Sequence, residues 1–405
     1  MTISTLHSRP RAPWDIPFGW PRPDTHAMSL SRRLVGMLRK QIDNAGGSIS
    51  FADYMEHVLY APGLGYYSAG LRKFGPDGDF VTAPEISPLF ARCFARTCKS
   101  LLTGVPGDDV LELGAGSGIM AANLLAELEC RQRLPARYLI LERSGELRDR
   151  QQQTLAWRVP HLLSRIRWLD RLPEPQISGV ILANEVIDAL PVRRFAWRDN
   201  ELKELQVVWH YDQFEWVEKN IDNTDVATQI KAIHFDSASR HHFTSEINSG
   251  LGDWLTSISH CLGSGAVVFV DYGYTRSEYY HPQRSSGTLM CHYRHRAHSD
   301  PFLLPGLQDV TAYVDFTALA EAGSACGLTV KGFTTQAHFL MDAGIDNLLA
   351  ESGPENGRNY LEAVQQVKTM VFPGEMGERF KAMLLLKGMD TIPPGFRSHD
   401  LRGRL

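Results

Sequence analysis

Glycine and acidic residues cluster in one short segment that joins a strand-like run to a helical pattern. The segment reads Val110-Leu-Glu-Leu-Gly-Ala-Gly-Ser-Gly118, and a helix is predicted directly after it over Ile119–Glu129. The three glycines allow a tight turn and let a ligand lie against bare backbone. The N-terminus of the following helix offers free amide groups to the same ligand. This pattern is typical of a nucleotide-binding turn.

The spacing of the turn separates two classes of nucleotide ligand. A dinucleotide fingerprint requires Gly-x-Gly-x-x-Gly, but here the third glycine comes one residue earlier and Ile119 follows it. Glu112 stands two residues before the first glycine, where a carboxylate faces a positively charged amino group better than a pyrophosphate. Both departures favour S-adenosylmethionine over NAD, and a plain strand-to-helix turn is the competing interpretation. The predicted cofactor contacts in this segment are Glu112, Gly114, Ala115, Gly116 and Gly118.

Two further carboxylates follow predicted strands. Glu142 comes directly after the strand Arg137–Leu141, about 20 residues beyond the turn, where a carboxylate accepts hydrogen bonds from both ribose hydroxyls. Asp170 ends the third strand, from which it could reach the adenine amino group. For each acid the alternative is a solvated or helix-capping side chain. The turn and both acids together are harder to explain by chance than any one of them.

The fourth predicted strand ends in Leu182-Ala-Asn-Glu-Val-Ile-Asp-Ala-Leu-Pro191. In a sheet of this kind that end faces the transferring methyl group, so Asn184, Glu185 and Asp188 are the candidate catalytic residues. Paired carboxylates suit a cationic acceptor such as a guanidinium, whose forked donors they can hold bidentately. The alternative is a helix N-cap with acidic residues in its first turn.

The fifth strand also ends in an acid, and an unusual polar segment follows it. Asp271 is succeeded by tyrosines, and residues 279–298 are rich in His, Arg and Tyr. A metal site at Cys291, His292, His295 and His298 is disfavoured, because the spacing matches no zinc pattern and the interleaved arginines repel a cation. We therefore predict no metal and a polar loop for substrate or cofactor, with a plain surface loop as the alternative.

Short apolar runs alternate with helical patterns from Asp109 onward, which predicts an α/β fold with a doubly wound, mainly parallel sheet. Ligands of such sheets bind at the carboxyl ends of the strands. The predicted strands are Asp109–Leu113, Arg137–Leu141, Arg165–Leu169, Gly179–Ala183, Ala266–Asp271, Thr329–Phe333 and Phe380–Leu386.

The sequence pattern divides the chain into four parts. Residues 1–27 form a proline-rich arm, either flexible or clamped to the surface, and residues 28–104 supply helices and an active-site cover loop. Residues 105–387 form the core, and residues 388–405 a tail. Insertions at about 193–260, with a hairpin and later helices, and at 337–374, mainly helical, are expected to cap the functional edge.

Composition excludes several classes of protein. The chain has 405 residues and a formal net charge of −4, with no basic stripe, so nucleic acid is not an expected partner. The six cysteines form no Cys-x-x-Cys pair, which favours a reducing compartment. No apolar run approaches the roughly 20 residues of a membrane span.

Several motifs together resemble those of the MidA-like methyltransferases, the family that includes the mitochondrial complex I assembly protein arginine methyltransferase. The resemblance covers roughly residues 30–387. Besides the glycine turn, it is carried by Ile49-Ser-Phe-Ala-Asp-Tyr-Met-Glu56, Gly65-Tyr-Tyr67, Gly78-Asp-Phe-Val-Thr-Ala-Pro-Glu-Ile-Ser-Pro88, Asn184-Glu-Val-Ile-Asp-Ala-Leu-Pro191 and Pro373-Gly-Glu-Met-Gly377.

The resemblance implies a seven-stranded class I methyltransferase fold with a Rossmann-like sheet, and S-adenosylmethionine as methyl donor. It implies a protein arginine acceptor, as in the eukaryotic members, where the substrate belongs to a respiratory complex. It also implies that Glu185 faces the substrate and that Gly78, Asp79, Phe80 and Thr82 cover the site.

The sequence is consistent with three functions. They are methyl transfer to a protein, a non-catalytic assembly factor that binds the cofactor, and methyl transfer to a small molecule. The expected location is the bacterial cytoplasm, or the mitochondrial matrix for a eukaryotic chain, and a homodimer is conceivable.

Overall fold

The structure is a computed structural model that describes residues 12–70, 81–174, 176–235, 241–351, 353 and 357–405. Gly78, Asp79 and Phe80 of the expected cover loop lie outside the described residues. The helices are α1 Thr25–Asn44, α2 Phe51–Tyr60, α3 Ala83–Ile86, α4 Pro88–Thr103, α5 Ile119–Cys130, α6 Gly145–Arg158, α7 Thr224–Ala232, α8 Leu251–Cys261, α9 Arg276–Tyr279, α10 Phe316–Ala325, α11 Gln336–Asp342, α12 Ile345–Ala350 and α13 Arg358–Val371.

The strands are β1 Ile49–Ser50, β2 Asp109–Leu113, β3 Arg137–Leu141, β4 Ile166–Leu169, β5 Ile177–Asn184, β6 Arg193–Arg198, β7 Glu201–His210, β8 Gln213–Asn220, β9 His242–Ile247, β10 Leu262–Tyr274, β11 Met290–Tyr293, β12 Arg296–His298, β13 Asp309–Thr311, β14 Val314–Asp315, β15 Thr329–Thr335 and β16 Phe380–Lys387.

Seven of these strands form the central sheet, in the order β15-β16-β10-β5-β2-β3-β4, and β14 adds to β10. The strands from β4 to β10 in this order pair in parallel, whereas β16 runs antiparallel to both of its neighbours. Each predicted strand corresponds to one of the seven, so the doubly wound α/β fold is confirmed. The chain continues from β2 to β3 on one side and reaches β5 on the other, which makes the β2–β5 junction the switch point where ligands bind.

The sheet is buried on both faces, as its apolar strands require. One face packs against α4 and α5 through a cluster that includes Phe90, Phe94 and Leu124. The other face packs against α8 and α10 through Leu255, Phe316 and their neighbours. Two layers of helices therefore hold the strand ends in fixed positions.

The insertion predicted at 193–260 differs from expectation in two ways. Its strands β6, β7, β8 and β9 join β1 in a separate antiparallel sheet, and β9 occupies a stretch for which helices were predicted. Helix α8 does not belong to the insertion, because Leu251, Leu255 and Ile258 pack on the central sheet. The insertion thus ends near residue 250.

The segment 337–374 is helical as predicted, but its helices do not cap the functional edge. Phe339 of α11 packs on Phe94 of α4 with ring centroids 4.9 Å apart, and α12 also lies against α4. Their apolar residues continue the core cluster on that face of the sheet. Burial of these side chains, rather than the ligand edge, sets the position of this insertion.

The described part of the N-terminal arm is attached to the rest of the molecule, in contrast to a flexible arm. Leu304 donates its backbone N–H to the Pro13 carbonyl at 2.6 Å, and the Trp20 ring stacks on Tyr293 at 6.4 Å. Organised structure also starts before the predicted Met28, since α1 begins at Thr25 with Asp24 as its N-cap. Among the described residues, no helix is long and apolar enough to cross a membrane.

A substitution near the start of β10 tests how closely β10 and β5 pack at the end of the sheet away from the strand carboxyl ends. A Cβ at Gly265 would lie 1.8 Å from the Gly179 carbonyl oxygen, whereas one at Gly263 would find its nearest atom, the movable Gln176 side-chain oxygen, at 3.3 Å and the Ile177 carbonyl oxygen at an ordinary contact distance of 3.5 Å. We expect Gly265→Ala to lower the free energy of unfolding by about 3 kcal/mol, and Gly263→Ala to lower it far less. Chemical denaturation of both variants checks this, and equal losses would contradict it.

Candidate functional site

A cavity of about 930 Å³ lies at the carboxyl ends of β2, β3, β5 and β10. Its floor is the glycine turn after β2, and its walls come from the ends of the neighbouring strands, from α2 and from β11 and β12. This is the position that the switch point of a doubly wound sheet predicts for a ligand.

The glycine turn lines the cavity with backbone. Gly114, Gly116 and Gly118 have φ angles of 63°, 53° and 82°, a left-handed conformation that other residues adopt only with strain. Gly114, Ala115 and Gly116 line the cavity. Gly118, predicted as a cofactor contact, does not line it, and a Cβ there would lie 3.0 Å from the Cα atom of Gln151. The backbone therefore turns sharply at each glycine, and α5 begins directly after Gly118 with its amides toward the cavity edge.

Glu112 is buried at the end of β2 and lines the cavity. Its carboxylate accepts a hydrogen bond from the Tyr138 hydroxyl at 2.7 Å. Burial raises the pKa of Glu112 to about 7, against the effect of that hydrogen bond. A cationic group of a ligand beside it would favour the charged form.

Glu142 is held in place at the end of β3. One carboxylate oxygen accepts the Ser144 backbone N–H at 2.9 Å, and the other accepts the Gln151 side-chain amide at 3.0 Å. The same amide donates to the Gly116 carbonyl at 3.1 Å. Gln151 thus ties Glu142 to the glycine turn, and both face one cavity.

Asp170 does not join them. Its side chain is 89% exposed and pairs with Arg148 at 2.7 Å, and it does not line the cavity. Arg148 also donates to the Leu169 carbonyl at 2.6 Å, so the guanidinium lies across the end of β4. The predicted contact of Asp170 with adenine is therefore corrected: Leu172, two residues later, is the cavity residue of this loop.

Asn184, Glu185 and Asp188 line the same cavity after β5, as predicted. The turn that carries them is capped by Asp271 at the end of β10. One oxygen of the buried Asp271 accepts the backbone N–H groups of residues 186, 187 and 188 at 3.2, 2.9 and 3.2 Å. Glu185 adopts a φ of 52°, an uncommon value outside glycine, which this cap stabilises.

The electrostatics of this turn favour a protonated Glu185 near neutral pH until a cation arrives. Burial, reinforced by the Asp188 charge, raises the pKa of Glu185 to about 8. Burial likewise raises the pKa of Asp188 to about 6, although the Tyr272 hydroxyl donates to its carboxylate. Asn184 donates to Glu185 at 3.2 Å and orients it.

Helix α3 connects the two halves of the site. The Ala83 backbone N–H donates to Glu185, and the Ser117 hydroxyl of the glycine turn donates to Glu85. Thr82, predicted to cover the site, is the N-cap of α3 and lines the cavity. The cover segment therefore contacts both the predicted cofactor side and the predicted acceptor side.

Several residues that complete the acceptor side were not predicted from the sequence. The buried Asp309, from β13, accepts the Tyr67 hydroxyl at 3.0 Å, and the Tyr60 hydroxyl donates to the Ala189 carbonyl at 2.8 Å. Tyr60 and Tyr67 stack with centroids 5.5 Å apart. Tyr67 stands in a motif quoted above, but nothing near Asp309 in the sequence indicates a site.

Carboxylates outnumber cations in the cavity lining. The carboxylates are Glu56, Glu85, Glu112, Glu142, Glu185, Asp188 and Asp309, and the cations are Arg143, Arg193 and Arg379. Arg193 is paired with Glu204 at 2.6 Å, outside the cavity. The interior thus has an excess of acidic groups, which favours a cationic ligand.

The His-rich segment contributes one wall. Met290, His292 and Ala297 of β11 and β12 line the cavity, and burial lowers the pKa of His292. Cys291 is buried in the neighbouring apolar cluster. Within the described ranges, no three His, Cys, Asp or Glu side chains are grouped as metal ligands.

The residues on the floor fit S-adenosylmethionine. The left-handed glycines leave space against the backbone, Glu142 faces that space beside them, and Glu112 supplies a buried carboxylate for a cationic amino group. A sulfonium in a cavity rich in carboxylates is also favourably placed.

The contrast between Glu142 and Asp170 gives a direct test. We expect Glu142→Gln to weaken binding of S-adenosylhomocysteine by about 10-fold to 100-fold, because charge-assisted hydrogen bonds to the ribose are lost. Asp170→Asn, which also removes one strand-end charge, should leave the affinity within about twofold. Calorimetric titration of both variants with S-adenosylhomocysteine measures these affinities. Equal losses of affinity would mean that Asp170 also contacts the cofactor.

Comparisons with known proteins agree with this site. Residues 89–334 match the family described as "Putative S-adenosyl-L-methionine-dependent methyltransferase". A Burkholderia thailandensis protein, crystallised with S-adenosyl-homocysteine, is 42% identical and has a TM-score of 0.91, covering 95% of this chain and 100% of its own.

Curated relatives carry a more specific name. The mitochondrial protein arginine methyltransferase NDUFAF7 of Danio rerio is 27% identical over 397 residues, which cover 91% of this chain and 90% of the relative. The Mus musculus protein of the same name is 29% identical over 372 residues, covering 84% and 81%. The family match over residues 89–334 spans more than half of the chain. Together with the glycine turn, Glu142 and the cavity, it shows that this chain is a member of the S-adenosylmethionine-dependent methyltransferase family.

Proposed function

We propose that this methyltransferase transfers its methyl group to the guanidinium of an arginine side chain in a protein. The observation that carries the proposal is the group of carboxyls on the acceptor side: the buried Asp188 and Asp309 and the half-buried Glu185 line one cavity with the glycine turn. A buried acid is costly without a cation, and a guanidinium supplies that charge.

The shape of a guanidinium also suits this wall. It is planar and always charged, and its donors are arranged to meet carboxylates in pairs. Glu185 and Asp188 lie on one turn that Asp271 holds in place, so their positions are set before the acceptor binds. Stacked Tyr60 and Tyr67 offer an aromatic face beside them, which suits the flat side of a guanidinium.

The chemistry requires little from the protein beyond placement. Bound S-adenosylmethionine supplies an electrophilic methyl group. Glu185 would orient one guanidinium nitrogen and accept the proton that this nitrogen loses, since its pKa of about 8 suits proton transfer near neutral pH. Asp188 would hold the remaining donors, and Asn184 would keep the Glu185 carboxylate in its orientation.

The names of the relatives support the same acceptor. The Danio rerio and Mus musculus proteins are both called protein arginine methyltransferases, and each aligns with more than four-fifths of this chain.

Labelling identifies the acceptor residue. Purified protein is incubated with methyl-labelled S-adenosylmethionine and an extract from cells that lack it, and labelled residues are identified by mass spectrometry. We expect methylarginine in a protein fraction. We expect Glu185→Gln to lower the rate by about 100-fold or more while it keeps its affinity for S-adenosylhomocysteine.

The exposed Glu201→Gln is the control, because it removes the same charge far from the cavity. Label in another residue type or in small molecules would contradict the arginine proposal. Undiminished transfer by Glu185→Gln would remove Glu185 from its role, and absence of any transfer would favour a non-catalytic factor.

The raised pKa of Glu185 predicts how the reaction depends on pH. Below about pH 8 the free protein carries a neutral Glu185, which binds a guanidinium less well than the carboxylate. We therefore expect kcat/KM to rise with pH and to level off above about 8, because this ratio reports ionisation of the free enzyme. The residual activity of Glu185→Gln should lack this rise, and an identical profile would refute the assignment.

A further inference from the structure

A second cavity of about 800 Å³ lies beside the first, where β10 and β15 end and β16 begins. Its lining has the opposite character. Four cations face it, Arg284, Arg379, Lys381 and Arg404, against two carboxylates, Glu278 and Glu378. Three histidines add further donors. The excess of positive charge favours an anionic ligand.

The four cations lack carboxylate partners. Within the described parts of the chain, none of them has an acidic oxygen within 4.0 Å. Arg284 and Lys381 donate to the backbone carbonyls of Glu278 and Glu378, and both cations lie over the Tyr274 ring. By contrast, the nearby Arg402 pairs with Asp400 at 2.7 Å. Positive charge in the second cavity is thus left for a ligand.

Lys381 is the clearest sign of a built site. It stands at the start of β16, only 8% exposed, and faces the second cavity. Burial lowers the pKa of its ammonium group. Among the described residues its ammonium group donates to one carbonyl and lies 5.8 Å from the Tyr274 ring centroid, and an anion would give its remaining N–H groups an oxygen acceptor.

A thin wall separates the two cavities. Arg379 lines both of them. Tyr313 of the first cavity stacks on Tyr274 of the second, with centroids 5.4 Å apart and an interplanar angle of 20°. The Arg284 guanidinium lies over the Tyr274 ring, 3.9 Å from its centroid. One aromatic stack therefore lies between an acidic site and a basic one.

A motif quoted in the sequence analysis runs along this wall. In Pro373-Gly-Glu-Met-Gly377, Pro373 lines the second cavity and Met376 lines the first. Phe380 and Lys381 then continue to opposite cavities, as successive residues of a strand point to opposite faces. The methyl-transfer chemistry uses none of these residues, so the motif is unexplained by the first cavity alone.

We propose that the second cavity binds an acidic side chain of the polypeptide whose arginine occupies the first cavity, so that the enzyme selects arginines with a nearby Asp or Glu. This inference rests on the proposed function. An extended chain spans about 3.3 Å per residue, so a wall one aromatic stack thick places the acidic residue only a few positions from the arginine. Adjacent cavities of opposite charge would also fix the direction of the bound chain.

Peptides test the inference. Each contains one arginine and one glutamate, moved through about four positions on either side, and a matched series has glutamine instead. At the preferred position we expect kcat/KM to be about 10-fold higher for glutamate, with the difference in KM, since the contact is remote from the reacting atoms. Arg404→Gln should reduce the preference to less than about threefold.

Arg402→Gln is the matched control. Arg402 belongs to the same short 3₁₀-helix as Arg404, Arg402–Arg404, but it does not line the cavity, so its loss should keep the preference. Lys381→Met, which preserves volume, should also abolish it. Methylation of every peptide without a preference for glutamate would overturn the inference and leave the proposed function intact. Methylation of none would overturn the proposed function itself.

Inorganic phosphate distinguishes a free anion from a peptide side chain. If the peptide supplies the anion, phosphate competes with the glutamate peptide, raises its KM and leaves the glutamine peptide unaffected. If phosphate instead changes the kinetics of both peptides equally, and Arg404→Gln removes this effect, the cavity binds a free anion and the inference is wrong.

Discussion

The carboxylate of Asp271 is the contact on which the acceptor side of this methyltransferase depends. It joins the end of β10 to the turn after β5 through three backbone N–H groups. Burial raises the pKa of Asp271 and disfavours its charge, so each of these hydrogen bonds contributes about 0.5–1.5 kcal/mol. The three together offset the cost of about 1–3 kcal/mol for a non-glycine residue in the left-handed region, and they keep the Glu185 side chain in the cavity.

The same arrangement has an electrostatic cost that function can use. Asp188 and Asp271 are buried and Glu185 is half-buried beside them, and desolvation raises the pKa of each carboxyl group. A cationic acceptor removes this penalty by bringing a charge into the cavity. Binding and deprotonation are then coupled, and the site discriminates against neutral side chains of similar size.

Much of the fold followed from local sequence patterns. β2 and β3 have the predicted bounds because each is a short apolar run between clear helix signals. The cavity residues Glu142, Glu185 and Asp188 were also predicted, since strand ends in a parallel sheet converge. The remaining features depend on distant partners. Arg148 of α6 draws Asp170 away from the cavity, and Tyr67 reaches Asp309 across 242 positions of sequence.

The helical segment before β16 shows a similar limit. Its periodicity predicted helices correctly, but no local pattern states which surface those helices cover. Packing of Phe339 on Phe94 answers that question, and it places α11 against α4. The second cavity is a comparable case, because its four cations come from three separate stretches of chain and only the fold brings them together.

The coupling between a cation and the Glu185 proton can be measured without knowledge of the natural acceptor. Methylguanidinium, the end of an arginine side chain, is titrated near pH 7 into the protein saturated with S-adenosylhomocysteine, in two buffers of different ionisation enthalpy. The account predicts net proton release, strongly reduced in Glu185→Gln, because binding ionises a carboxyl whose pKa is about 8. Binding without proton release, or equal release by Glu185→Gln, would contradict it.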